Sequence, residues 1–155
     1  MTALNVASGR VRMKENHRMV RLLAEAEKPI VAGVEGFAMG AGAGIALLCD
    51  SIVLAESGAL GFPFFRIGLT PDYGILFTLT RRVGQAKARQ ILLYAEMRKG
   101  QDAVDVGLAD ELVSDGQAEA RAIERAQVLA AMPPPCFCTD QTASRDGTAI
   151  TGRSA

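Results

Sequence analysis

The organisation of this chain follows from the segment KPIVAGVEGFAMGAGAGIALLCD, which covers residues 28–50. Pro29 blocks the continuation of any preceding helix, and the apolar run after it, residues 30–34, is typical of a fully buried strand. Beyond a short turn, the alternating glycines of residues 40–44 predict a loop that opens the N-terminus of a buried helix. A second apolar run, residues 52–54, follows that helix. The segment therefore predicts a strand, a loop, a helix and a further strand in succession.

Helices and short apolar runs alternate through the rest of the chain. Apolar residues that recur every three or four positions predict amphipathic helices, and Gly or Pro stands near their ends. The predicted helices cover residues 14–27, 45–48, 75–80, 85–95, 101–106 and 117–132, with a strand or turn near residues 60–62. This alternation predicts an α/β fold in one domain, residues 1–132. Three prolines stand near the start of residues 133–155, where the apolar period ends, so we expect a poorly ordered tail there.

Composition narrows the possible partners. The chain of 155 residues carries 17 Lys and Arg against 17 Asp and Glu, and this net charge of zero argues against general attraction to nucleic acid or anionic membranes. The longest apolar stretch, residues 45–49, is far shorter than the roughly 20 residues that a membrane-spanning helix needs. We also expect no cleavable signal peptide. These features predict a cytoplasmic protein without nucleic-acid or membrane partners.

Residue types that often bind metals or act as nucleophiles are sparse. The three cysteines, Cys49, Cys136 and Cys138, lack the paired spacing of a zinc site, so we expect thiols and no metal. His17 is the single histidine and lies on the polar face of the first predicted helix. No Ser, Cys or Asp partner is near it in sequence, which favours a solvated side chain over a catalytic one.

The small residues of positions 36–44 allow a backbone to approach a ligand closely. A helix that begins there would direct unpaired N–H groups and the positive end of its dipole at that ligand, which suits an oxygen that gains negative charge. Tight packing of a helix on a sheet explains the same glycines equally well. Their spacing gives neither G-x-G-x-x-G nor the G-x-x-x-x-G-K-[ST] phosphate loop, which argues against nucleotide binding.

The segment resembles the signature of the crotonase (enoyl-CoA hydratase/isomerase) superfamily. That signature has Lys-Pro before an apolar strand, a G-aromatic-A-x-G-[GA]-G turn, and a helix that ends in Cys-Asp. Further matches follow in the family's order: Leu-Gly at residues 60–61, IGLTP at 67–71, RRVG at 81–84 and AVDVGLADELV at 103–113. The resemblance implies an α/β fold with a crotonase-like (ClpP/crotonase) ββα-spiral core. We expect this core to be incomplete at the N-terminus, because the chain starts after the family's A-G-x-D-like loop, and the chain resembles one truncated at both ends.

The resemblance also implies where an acyl-CoA thioester would bind. The backbone N–H of Ala41 would hold the thioester oxygen, and Gly40 and Gly42 would shape the turn around it. Preorganised donors of this kind stabilise the charge that forms when an α-proton leaves a thioester. No separate cofactor is expected, since coenzyme A enters as part of the substrate. The residues expected to line the acyl-CoA site further are Phe37, Met39, Phe64, Leu69 and Tyr73.

Asp72 is the candidate catalytic base. Hydratases of the family use two glutamates, and the equivalent positions here are Gly44 and Phe64, neither of which can carry a proton. A double-bond shift needs only one carboxylate. The stretch IGLTPDYG, residues 67–74, resembles the IGL-x-PD-x-G motif of the branch that contains ring-1,2-epoxyphenylacetyl-CoA isomerase, in which that Asp is the acid/base. A turn residue or helix cap after Pro71 is the alternative interpretation of Asp72.

The resemblance therefore predicts an acyl-CoA isomerase of fatty acid metabolism. It would shift a double bond or rearrange a CoA thioester through an oxyanion-stabilised enolate, with a single carboxylate base. One alternative is a non-catalytic remnant or assembly subunit that keeps the fold without turnover. Another is an enoyl-CoA hydratase-like lyase or a related crotonase chemistry. The family resemblance also implies a homo-oligomer, a trimer or hexamer.

Overall fold

Six α-helices alternate with six short strands in residues 6–133, the part of the chain that this computed structural model describes. The helices are α1 (Val6–Ala24), α2 (Ala41–Leu48), α3 (Ile75–Val83), α4 (Gln85–Leu93), α5 (Gly100–Asp105) and α6 (Ala118–Ala130). The strands are β1 (Val31–Val34), β2 (Phe37–Met39), β3 (Ser51–Ala55), β4 (Ala59–Gly61), β5 (Met97–Lys99) and β6 (Glu111–Val113). A 3-10 turn spans Phe65–Ile67. Within this range, none of the helices is both long and apolar enough to cross a bilayer.

The described strands form two three-stranded sheets. In the first sheet, β3 lies between β1 and β6 and runs parallel to both. In the second, β4 lies between β2, to which it is parallel, and β5, to which it is antiparallel. Before α2, β1 joins the first sheet and β2 joins the second. Before α3, β3 joins the first sheet and β4 joins the second. This repeated strand, strand and helix unit agrees with the predicted ββα spiral.

β3 is buried on both faces and joins two apolar clusters. Ile52 and Leu54 belong to the larger cluster, which also holds side chains of α2, α3 and α4, whereas Val53 and Ala55 belong to a smaller cluster with α6. Successive side chains of a strand alternate between its faces, so a strand buried on both sides needs a continuous apolar run. Each fully buried aliphatic side chain contributes about 1.5–3 kcal/mol relative to an exposed one.

Two charged side chains fasten distant segments to this core. The carboxylate of Glu35, just after β1, accepts the N–H of Gly116 at 2.8 Å and that of Ala118 at 2.6 Å, which caps the start of α6. Arg82 in α3 pairs with Asp110. Its Nε also donates to two backbone carbonyls of the turn between α5 and β6, each at 3.1 Å.

The predicted loop over residues 40–44 is wrong in part, because α2 already begins at Ala41. Gly42 and Gly44 therefore lie inside the helix. Glycine disfavours a helix by about 1 kcal/mol relative to alanine, so local propensity predicts a loop. The helix forms because α2 is packed into the larger cluster, where small residues allow close contact with its neighbours.

Other predicted elements are confirmed in type, with differences in extent. β1 is half-buried rather than fully buried, because within the described residues it is an edge strand paired with β3. α1 begins at Val6 and ends at Ala24, earlier than predicted. β2, β5 and β6 have three residues each and were missed, since so short a run shows no period. The tail predicted over residues 133–155 lies outside the described residues, apart from residue 133.

Candidate active site

The glycine-rich turn leads directly into the N-terminus of α2. The N–H of Gly40 donates to the carbonyl of Gly61 at 2.9 Å, and Gly40 has a φ of 54°, a left-handed conformation that suits glycine. The N–H of Gly44 then donates to the carbonyl of Gly40 at 3.0 Å, as the first hydrogen bond of the helix. The N–H groups of Ala41 and of the next two residues lie before this first bond and so have no acceptor within the helix. No side chain of the described residues caps this end of α2. The predicted donor, Ala41, is thus the first residue of α2.

Phe64 forms an apolar wall beside this turn. Its ring carbon Cζ lies 3.8 Å from the point where a Cβ on Gly40 would be, and its side chain is buried. The loop after it folds back, because the N–H of Leu69 donates to the carbonyl of Phe64 at 2.9 Å. The structure therefore brings the ring of Phe64 and Gly40 together.

The loop that contains Asp72 packs on α2 at Gly44. A Cβ on Gly44 would lie 2.6 Å from Cβ of Tyr73 and 3.2 Å from the side chain of Ile75. Residues 41 and 44 are three positions apart and share one face of the helix. Asp72 directly precedes Tyr73 in this loop.

Asp72 is half-buried, and one of its two carboxylate oxygens lacks a hydrogen bond within the described residues. Its Oδ1 is buried and has no hydrogen-bond partner among the described residues. Leaving a buried polar atom unpaired costs about 1–3 kcal/mol, and such atoms in native structures often mark functional sites. The alternative role of helix cap is not realised, because α3 begins after Gly74 without a side-chain cap. Asp72 does take part in a turn, but only through its backbone, whose carbonyl accepts the N–H of Ile75 at 3.0 Å.

The other predicted site residues lie away from this contact. Phe37 is 68% exposed and Met39 is 39% exposed, on the outer face of the sheet formed by β2, β4 and β5. Leu69 is 56% exposed. Gly42 faces β2, because a Cβ there would lie 3.9 Å from Cβ of Ala38. The structure thus gathers Gly40, Phe64 and the Asp72 loop around α2 and leaves the remaining side chains on the surface.

A separate cavity of about 410 Å³ lies at the opposite end of α2. Its lining includes Cys49 and Asp50, which directly follow α2, together with Phe77 and Arg81 from α3. The guanidinium of Arg81 stacks over the ring of Phe77, 4.2 Å from the ring centroid. Sequence reasoning did not predict this cavity, although the spacing of four between Phe77 and Arg81 indicates that they share a helix face. No group of three or more His, Cys, Asp or Glu within residues 6–133 could hold a metal ion.

Comparison with known proteins relates the whole described region to one family. The profile described as enoyl-CoA hydratase/isomerase matches residues 1–146. Short-chain-enoyl-CoA hydratase of Clostridium acetobutylicum is 31% identical over 134 residues, which are 86% of this chain and 51% of that protein. A probable enoyl-CoA hydratase of Rhodobacter capsulatus is 36% identical over 134 residues, 86% of this chain and 52% of that protein. The chain therefore spans about half the length of these curated relatives.

Solved structures give the same fold. An enoyl-CoA hydratase from Bacillus anthracis superposes with a TM-score of 0.86 at 25% identity, over 94% of this chain and 56% of that one. An enoyl-CoA hydratase from Polaromonas sp. JS666 superposes with a TM-score of 0.81 at 30% identity, over 89% of this chain and 54% of that one. The predicted crotonase-like fold class is thereby confirmed.

Proposed function

Because the chain belongs to the enoyl-CoA hydratase/isomerase family, we propose that it is an acyl-CoA isomerase that uses Asp72 as its single acid/base. One observation carries the proposal: a buried carboxylate oxygen without a partner in the described residues belongs to the loop that packs on α2. The first turn of that helix offers N–H groups that precede its first hydrogen bond. A site built in this way can remove a proton next to a thioester and stabilise the charge that results.

The proposed reaction is the conversion of a 3-enoyl-CoA into a 2-enoyl-CoA. The carboxylate of Asp72 removes a proton from C2, and the electron pair of that C–H bond moves into a dienolate whose charge rests on the thioester oxygen. The N–H of Ala41 donates to that oxygen. Protonated Asp72 then returns the proton to C4, which places the double bond between C2 and C3 and regenerates the carboxylate. No atom is gained or lost, and no redox partner is needed.

Hydration is the second candidate, because the relatives from Clostridium and Rhodobacter are named as hydratases. It requires one group to activate water and another to manage the carbon proton. Gly44 has no room for a side chain beside Tyr73, and Phe64 supplies a ring instead of a carboxylate. These two positions favour isomerisation. Hydration is tested by supplying a 2-enoyl-CoA in place of the 3-enoyl-CoA. Loss of the absorbance of its conjugated thioester would indicate that the protein adds water to the double bond.

Other expectations extend the proposal to the whole protein. We propose an acyl-CoA thioester as substrate, no cofactor besides the coenzyme A that the substrate carries, and a cytoplasmic homo-oligomer. Since the chain spans about half the length of its curated relatives, these statements concern the protein to which the chain corresponds. A non-catalytic subunit would instead bind a CoA thioester without turning it over.

The decisive test replaces Asp72 by Asn, which keeps the size of the side chain and removes its basicity. The conversion of 3-hexenoyl-CoA into conjugated 2-hexenoyl-CoA is followed by ultraviolet absorbance. We expect kcat to fall about 10²- to 10⁴-fold with little change in KM, because a positioned base contributes a factor of that size. Asp105→Asn serves as the matched control, since the exposed carboxylate of Asp105 accepts a hydrogen bond from the side-chain amide of Gln101 and lies in α5, outside the loop that contains Asp72. Equal turnover of wild type and Asp72→Asn would exclude Asp72 as the base.

A further inference from the structure

Two consecutive left-handed residues follow Asp72. Tyr73 has a φ of 51° and Gly74 a φ of 73°. Glycine adopts this conformation readily, whereas a tyrosine does so rarely because its Cβ crowds the backbone. Such a residue persists only where the surrounding structure holds it, and strained positions of this kind are frequent at active sites.

Tyr73 fits against α2 because residue 44 has no side chain. A Cβ on Gly44 would approach Cβ of Tyr73 to 2.6 Å, closer than real Cβ atoms come. Ile75, which is fully buried, packs against the same point on α2. The hydrogen bond from the N–H of Ile75 to the carbonyl of Asp72 closes the turn between them. The turn of residues 72–75 is therefore seated on α2 at Gly44.

We propose that Gly44 and Tyr73 are positioning residues for Asp72. Gly44 admits the left-handed turn, and the position of Tyr73 in that turn fixes the orientation of the preceding Asp72, whose Oδ1 is buried. This inference rests on the proposed isomerase function and extends it. It gives the glycine that replaces a hydratase glutamate a role of its own: the space it leaves holds the turn that carries the base.

The first test compares Tyr73→Asn with Tyr73→Val in the full chain. Both substitutions remove the phenol, but Asn tolerates positive φ and β-branched Val opposes it. With 3-hexenoyl-CoA as probe, we expect kcat of the Val variant to be at least about tenfold below that of the Asn variant, because small misplacements of a catalytic group can cost about 10²-fold. KM should differ much less. In an Asp72→Asn background the Asn and Val variants should show equal residual turnover, since no base remains to be positioned.

The second test is a double-mutant cycle on the contact itself. Gly44→Ala adds the Cβ that meets Cβ of Tyr73, so we expect a loss in kcat of at least about tenfold. In a Tyr73→Gly background the 2.6 Å contact is absent and only the side chain of Ile75, at 3.2 Å, has to adjust, so the same substitution should cost less than about threefold. Gly36→Ala is the matched control, because a Cβ at Gly36 meets no atom within 4 Å. Far-UV circular dichroism verifies that each variant is folded.

The outcomes separate this inference from the proposed function. If wild type does not convert 3-hexenoyl-CoA, the isomerase proposal and the positioning role fail together. If wild type is active but the Asn and Val variants have the same kcat, only the positioning role fails. Equal effects of Gly44→Ala in both backgrounds would overturn it as well. Should Gly44→Ala not fold, the comparison at residue 73 decides, because Tyr73 lies in a surface loop that is only half-buried.

Discussion

Gly33 in β1 lies against the backbone of the first turn of α6. A Cβ at this position would approach the backbone carbonyl oxygen of Ala118 to 2.7 Å. That oxygen belongs to the first turn of α6, which is held in place by Glu35, so it cannot move aside as a flexible side chain could. The missing side chain of Gly33 thus lets the N-terminus of α6 lie directly on the sheet.

Gly33→Ala is therefore expected to destabilise the fold. The extra methyl group must displace backbone, and overpacking of this kind typically costs about 1–3 kcal/mol. Urea denaturation followed by circular dichroism measures the free energy of unfolding. The same substitution at Gly36, where a Cβ has open space, should change that energy by less than about 0.5 kcal/mol. Equal stability of the two variants would contradict the contact with Ala118.

At the scale of elements, Glu35 replaces a local cap for α6. The helix has Gln117 at its N-cap position without a side-chain cap bond, and the carboxylate of Glu35 reaches its N–H groups from the end of β1. We expect Glu35→Ala to lower the free energy of unfolding by about 0.5–2 kcal/mol, as the loss of a cap does. Glu35→Gln should lose less, since its amide oxygen still accepts one hydrogen bond. Urea denaturation of the three proteins tests this order, and equal stability of the Ala and Gln variants would contradict it.

Glu111 in β6 is bound to α6 by two arginines. The hydrogen bond from Arg121, at 2.7 Å, is the main reason why the pKa of Glu111 lies below its ordinary value of 4.5, and the bond from Arg125 lowers it further. A carboxyl group whose pKa is lowered by folding stabilises the folded state above its unfolded pKa. That stabilisation is lost as the pH falls through the folded pKa.

The difference in unfolding free energy between wild type and Glu111→Gln should therefore depend on pH. Near neutral pH we expect the ionised carboxylate to make the unfolding free energy of wild type larger than that of Glu111→Gln. This difference should shrink steadily as the pH falls below 4.5. Urea denaturation at a series of pH values measures the difference. Glu15→Gln, exposed on α1, is the matched control. A difference that stays constant down to acidic pH would show that the two arginines do not hold Glu111 ionised.

The sequence predicted those elements whose own residues show an apolar run or a helical period of apolar residues. β3 was found because three apolar residues, 52–54, follow one another, and α6 because its apolar residues recur with a helical period. The start of α2 was missed, since the glycines disfavour a helix locally and only packing against Tyr73 and Ile75 explains it. Asp72 was singled out from its motif. The left-handed conformation of Tyr73 was not, because it depends on a contact with residue 44 that no local pattern contains.

At the scale of the whole molecule, β3 connects the two apolar clusters of the described residues. Its odd and even side chains are buried in different clusters, so the strand couples the packing of one cluster to that of the other. This arrangement predicts one cooperative folding unit, while the domain bounds predicted from the sequence, residues 1–132, stay a prediction.

Substitutions on opposite faces of β3 should accordingly shift the same transition. Leu54→Ala removes a fully buried side chain from the larger cluster and should cost about 2–5 kcal/mol, whereas Val53→Ala, in the smaller cluster, removes less and should cost less. Far-UV circular dichroism and tyrosine fluorescence during urea denaturation should give one coincident transition for all three proteins. Tyr73 packs on α2 in the larger cluster and Tyr94 follows α4, so neither tyrosine lies in α6. A second transition seen by circular dichroism alone in Val53→Ala would therefore mean that α6 unfolds separately. A single transition would instead make the smaller cluster part of the same folding unit that carries Asp72.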